Sequence, residues 1–185
     1  MTTGKTYLTP EVKAMIGVEG ERVEITMWGI EKEGLRRFTQ GIMDPDPRYW
    51  DEDFARTTKF GEIVTPPIYC TYLDRTRPGS EDPITQAFKE NSVSDGVGGV
   101  QHRLQQGALP PVPTELVRLI NAGNEAEVLQ YPRLGDRVFS QAKYANIVER
   151  TGRDGTPMLF ITTEKTFTNQ KGEVLCIQRG MSMRR

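Results

Sequence analysis

Three long β-prone runs follow one another toward the end of the chain, over 138–148, 158–168 and 174–183, and the polar segments between them carry Gly152, Gly155 and Gly172. Glycine in such separators supplies the positive φ that tight hairpins require. Three consecutive hairpin-linked strands make an antiparallel meander, and a sheet this long buries one face only if another layer covers it. The least polar helical candidate, 63–74, is such a layer. Its Pro66 and Pro67 belong in a first turn, where a missing N–H costs nothing, because farther in they would break the helix. A helix that apolar has to be wrapped on most sides.

The economical packing is a twisted sheet curled over that helix, the α+β arrangement called a hotdog. The upstream chain reads accordingly. Val23, Ile25 and Met27 alternate with Arg22, Glu24 and Thr26, which predicts a half-buried strand over 22–28. Ile30, Leu35, Phe38 and Ile42 recur at helical spacing, predicting an amphipathic helix over 30–42. A further short helix is expected over 49–58 with Trp50, Phe54 and Thr57 on one face. From Glu115 onward the pattern is strand-like. The stretch 77–113 is rich in Gly, Pro and polar residues, and its length marks a functional excursion, a lid or a partly disordered insertion in one domain spanning 1–185.

Charge excludes one large class of function. The 185 residues hold 24 Lys+Arg against 25 Asp+Glu, whereas a dedicated nucleic-acid binder gathers excess cation for phosphates. The longest apolar stretches, such as 158–161, fall far short of the ~18 residues a membrane span needs, and no apolar segment follows Lys5 as it would in a secretory leader. The cytoplasm is the expected location. Cys70 and Cys176 read as reduced, buried thiols. With His102 as its one histidine the chain has little material for a zinc site or a Cys/His hydrolase, and no metal is expected. Gly96, Gly98 and Gly99 lack the third glycine of a phosphate loop. Asp44, Asp46, Asp51 and Asp53 resemble calcium ligands, but Pro45 and Pro47 interrupt them and they read as solvated helix-end carboxylates.

Three segments in order, 41–67, 131–138 and 166–174, resemble the MaoC-type acyl-thioester dehydratases, and most closely their fatty-acid-synthase-like N-terminal dehydratase domains. The resemblance spans roughly residues 20–180 and implies the hotdog fold that periodicity also predicts. Active members of that family share a segment Asp-x-Asn-Pro-x-His and a His-Gly pair opening the central helix. The resemblance implies that the Asp and first His manage the water and proton added across a trans-2-enoyl thioester. The Gly of the pair presents a backbone N–H to the thioester carbonyl. Addition at Cβ builds enolate charge on that carbonyl oxygen, which a helix N-terminus stabilises.

Laid on that pattern, Asp44 takes the acidic position, Asp46 the Asn, Pro47 the Pro and Tyr49 the catalytic His, while Pro66 and Pro67 occupy the His-Gly pair. An imidazole and an amide hydrogen are therefore both replaced. Tyrosine, with an ordinary pKa near ~10, is a poor proton acceptor at neutral pH. The residues by themselves support plainer roles: Tyr49 as a packing aromatic with a wet hydroxyl, Asp44 as a turn or cap residue, Gly135 and Asp136 as a strand-entry turn, Asn169 and Gly172 as a hairpin turn, and His102 as a loop residue. Arg133 and Arg137, with Arg179, Arg184 and Arg185, are candidates for a basic rim against CoA phosphates, or ordinary surface charges.

In double-hotdog relatives the N-terminal half has lost the catalytic residues and shapes the acyl pocket for the active half. The resemblance thus implies a subunit of a heteromeric (R)-specific enoyl-CoA hydratase or 3-hydroxyacyl-thioester dehydratase, working on an acyl-CoA or acyl-carrier thioester without a cofactor. It also implies a second MaoC-type hotdog subunit, in a homo- or hetero-oligomer. The alternatives are a self-sufficient dehydratase using Asp44 with Tyr49 or His102, a hotdog thioesterase using Asp44 or Asp46, and a non-enzymatic acyl-CoA-binding protein.

Overall fold

The computed structural model describes residues 5–75, 78–80, 83–90, 92–93 and 107–185. Five antiparallel strands, β1 (Val23–Glu24), β2 (Leu119–Val128), β3 (Phe139–Thr151), β4 (Pro157–Thr168) and β5 (Val174–Arg184), lie side by side in the order β1-β3-β4-β5-β2. The meander β3-β4-β5 is where the sequence places it. Its turns close as expected: Gly155 and Gly172 have φ of 81°, and the Asn169 carboxamide oxygen accepts the N–H groups of Lys171 and Glu173, at 3.0 Å each.

Strand alternation gives the sheet two unlike faces. In β4, Leu159, Ile161 and Phe167 are buried, while Phe160, Thr162 and Glu164 point the other way. On the buried face Val138, Phe167, Leu175 and Cys176 pack under a helical layer formed by Leu35 of α2 (Lys32–Gly41), Ala55 of α3 (Glu52–Thr57) and Tyr69 and Cys70 of α4 (Tyr69–Leu73). Toward the β3-β4 turn a second cluster joins Tyr144, Ile147, Leu159 and Ile161 to Leu109 and to Val12 of α1 (Pro10–Ala14). This is the hotdog arrangement, a sheet packed on helix, but one long central helix does not supply the layer.

Expectation and structure part at four places. Helix 63–74 shrinks to α4 because a residue before proline is pushed out of the α region: Thr65 runs extended, its N–H donating to the Pro132 carbonyl at 2.9 Å, and Pro66 and Pro67 precede the helix rather than open it. The strand expected over 22–28 is cut to two residues, since the Thr26 hydroxyl takes the Val138 N–H at 3.0 Å. The helix expected over 49–58 divides into a 3-10 turn (Pro47–Tyr49) and α3, capped by Asp51, whose carboxylate accepts the Phe54 N–H at 3.0 Å. Trp50 and Phe54 stay 50% and 43% exposed, and Ala55 is the residue that enters the core.

Within 77–113 the structure describes residues 78–80, 83–90, 92–93 and 107–113. This stretch contains α5 (Pro83–Glu90) and delivers Leu109 to the core. At its end the backbone of Gly107 runs against Gly20 so closely that a Cβ on Gly20 would sit 2.3 Å from the Gly107 carbonyl oxygen. His102 and the glycines at 96, 98 and 99 lie outside the described residues.

Cys70 and Cys176 are both free and buried. Burial pushes the Cys70 thiol up to about 12 and raises that of Cys176. Since the thiolate is the reactive form, native protein at pH 8 should resist alkylation at both positions and take up two equivalents of iodoacetamide after denaturation, as read by intact-mass spectrometry. Rapid labelling of the native chain would contradict this packing.

Candidate functional site

The residues of the first resembling segment form one tight turn after α2. Met43, at φ 54°, reverses the chain. Asp44 then accepts the Asp46 N–H at 3.0 Å, as a turn residue, and Asp46 caps the 3-10 turn by accepting the Arg48 N–H at 3.0 Å. The Arg48 guanidinium folds back on Asp46, with Nε at 2.8 Å and 3.0 Å from its two oxygens. Those bonds hold the Asp46 carboxyl below the usual carboxylate range.

Tyr49 closes the turn and is only 5% exposed. Burial raises its pKa, outweighing the nearby guanidinium, so at neutral pH the phenol keeps its proton and can donate a hydrogen bond. It cannot act as a base there. The Arg48 guanidinium also lies 5.6 Å from the Tyr49 ring centre and 5.8 Å from that of Tyr131, which in turn packs on Phe60 at 5.1 Å.

Backbone contacts bring the second segment to the first. The Val64 N–H donates to the Arg48 carbonyl at 3.3 Å, and Val64 bridges Arg133. Pro66 is buried against this junction and its carbonyl accepts the Tyr69 N–H at 2.9 Å. Neither Pro66 nor Pro67 has an amide hydrogen, so the first N–H past them belongs to Ile68, which is exposed. The Val64–Arg48 bond thus joins the turn that carries Asp44 and Tyr49 to the segment that runs on into Pro66 and Pro67, and Arg133, across the Val64 bridge, is in an ion pair with Glu62.

The other candidate cations are distributed elsewhere. Arg137 pairs with Glu24 and Arg179 with Glu164, Glu125 and Glu127 on the sheet, while Arg184 reaches the Val117 carbonyl. Among the described residues no three His, Cys, Asp or Glu side chains gather to hold a metal ion, and no helix is long and apolar enough to cross a membrane. Sequence reasoning missed Arg48 and Tyr131, though the spacing of Asp46 and Arg48 around Pro47 was a signal for the ion pair.

A cleft of about 220 Å³ opens beside Tyr49, lined by Lys32, Glu33, Arg36, Trp50 and Ile63, and a second of about 150 Å³ lies between Arg56, Glu62 and Leu134. Ligand pockets occupy roughly 300–1,000 Å³, so each cleft is smaller than a pocket able to enclose an acyl thioester. What the turn offers is donors, Tyr49 and Arg48, and carboxylates already engaged in holding its shape.

A family model of the FAS1-like dehydratase domain region matches residues 14–178. The chain belongs to this family. Among curated proteins none matches the sequence significantly. Solved structures share the fold of this chain: one from the ChsH1–ChsH2 complex of Mycobacterium tuberculosis aligns over 94% of this chain and 86% of that one, with TM-score 0.66 and 16% identity. The MaoC-like dehydratase from Rhodospirillum rubrum aligns over 92% and 93%, at 0.57 and 19%. The HadBC complex of Mycobacterium tuberculosis, a 3R-hydroxyacyl-ACP dehydratase, aligns over 91% and 96%, at 0.56 and 14%. The MaoC-like hotdog expected from the sequence is the fold and family found.

Proposed function

We propose that this dehydratase-family chain is the pocket-shaping, non-catalytic subunit of a heteromeric (R)-specific enoyl-CoA hydratase or 3-hydroxyacyl-thioester dehydratase. One observation carries the reading: Tyr49, which the resemblance aligns with the family's base, is buried and held protonated, and the two prolines aligned with the family's His-Gly pair have no N–H to offer an enolate oxygen. In hydration, water oxygen adds to Cβ and a proton to Cα of the enoyl thioester, so a base, an acid and an oxyanion donor are all required. A His-containing second subunit supplies them, with water as co-substrate and no cofactor. Two of the similar structures, ChsH1–ChsH2 and HadBC, are complexes of unlike chains, which supports this division of labour. A chain acting on such thioesters with reduced thiols works in the cytoplasm.

The sheet offers a place for that subunit. β2 ends the strand order, so among the described residues no strand lies along its outer side, and Asn121–Leu129 are all exposed. A long open edge of this kind is a template for strand pairing. The test is to isolate the chain with its endogenous associates and assay the mixture. A co-purifying hotdog chain with an intact Asp-x-Asn-Pro-x-His segment should confer enoyl-CoA hydration that its Asp or His substitution abolishes. Activity unaffected by that substitution would refute the assignment.

A further inference from the structure

The sheet face opposite the two core clusters, on which no helix packs among the described residues, has an ordered pattern. Register places three rows across β3, β4, β5 and β2 on it. Val148, Phe160, Met183 and Ile120 form an apolar row, followed by Asn146, Thr162, Met181 and Gly123, and then by Lys143, Glu164, Arg179 and Glu125. None of these residues belongs to either core cluster. The charged row alternates in sign, plus, minus, plus, minus, and is already linked within the chain: Lys143 to Glu164 at 2.8 Å, Glu164 to Arg179 at 2.7 Å, Arg179 to Glu125 at 3.2 Å. Met181 is 40% exposed at the centre of the face.

From this self-complementary pattern we infer that two copies of the chain stack through this face about a two-fold axis parallel to the strands, between β4 and β5. Such an axis reverses each row against itself. Lys143 then faces Glu125 of the second copy and Glu164 faces its Arg179, so every charge meets the opposite sign. The same operation sets Val148 over Ile120 and Phe160 over Met183. It sets Asn146 over Gly123, whose missing side chain leaves a depression of about 250 Å³ lined by Thr162, Arg179 and Met181. Four strands about 4.8 Å apart and about six residues deep present on the order of 400 Å² in plan before side-chain relief, against the ~800 Å² per partner of a standard interface, which fits an association that depends on concentration. The apolar row supplies affinity and the charged row fixes register. The stacking leaves the β2 edge open and does not depend on the hydratase reading.

The full chain alone should sediment as a concentration-dependent dimer. Lys143→Glu and Glu125→Lys each create two like-charge contacts across the axis and should weaken dimerisation on the order of tenfold, whereas the double variant should return to within about threefold of wild type. Met181→Lys should weaken it by at least about tenfold. Circular dichroism and thermal melts confirm that each variant folds. A strictly monomeric wild type, or an assembly indifferent to Met181→Lys and to the charge swap, overturns the inference. Pairing through the β2 edge falls in the second outcome, because Lys143 on β3 is remote from that edge and would not rescue Glu125→Lys.

Discussion

Purified alone, the chain should hydrate crotonyl-CoA and longer enoyl-CoAs slower than an intact family member by at least about four orders of magnitude. A missing oxyanion donor costs roughly 10²–10³ in rate and a missing general acid/base roughly 10²–10⁴. On the proposed reading Pro66 and Pro67, which carry no amide hydrogen, remove the first, and a protonated Tyr49 cannot replace the second. Groups that act as a unit lose less together than the product of their separate losses, which is why the expectation is pinned to the low end. The measurement is loss of enoyl absorbance under excess protein. Asp44→Asn should leave the trace unchanged, because Asp44 holds a turn through the Asp46 N–H. Robust turnover that Asp44→Asn abolishes would make the chain a self-sufficient enzyme, and release of free thiol would make it a thioesterase.

Phe167→Ala should be the most destabilising of the simple truncations, by about 3–5 kcal/mol. Phe167 is fully buried, on the inner face of β4 between Val138, Leu175 and Cys176 and under Tyr69 and Cys70 of α4, so its removal opens a cavity where sheet and helical layer meet. At this chain length each kcal/mol moves the melting temperature by roughly 2–4 °C, so a fall of about 6–20 °C is expected. Phe54→Ala deletes the same ring from the exposed side of α3 and should cost less than about 1 kcal/mol. Calorimetric melts of the two variants decide the matter: similar losses would mean that the sidedness of the core is wrong.

Much of the framework was legible because strands announce themselves locally. Alternation in β4 and β5, and glycine at the turns between them, depend on neighbours in sequence. The helical layer was less legible because its elements compete with distant partners. Thr65 donates its N–H to the Pro132 carbonyl and the Thr26 hydroxyl oxygen accepts the Val138 N–H, and each contact ends a segment that periodicity would have continued. Trp50 and Phe54 share a face in the sequence pattern, yet both stay exposed and the small Ala55 is the residue of α3 that enters the core.

The site divides in the same way. That Tyr49 lacks an imidazole and Pro66 and Pro67 an amide hydrogen is a matter of residue identity, and no folding can restore either group. Residue identities alone therefore determined what this turn is unable to do. Only the tertiary structure decided what the remaining groups are engaged in: Asp46 held by Arg48, Tyr49 kept protonated by burial, and a cleft too small to enclose a substrate. It also set three rows of side chains on one sheet face. Proton affinity, cavity size and surface pattern depend on groups far apart in the chain, and they acquire values only when folding brings those groups within a few ångströms.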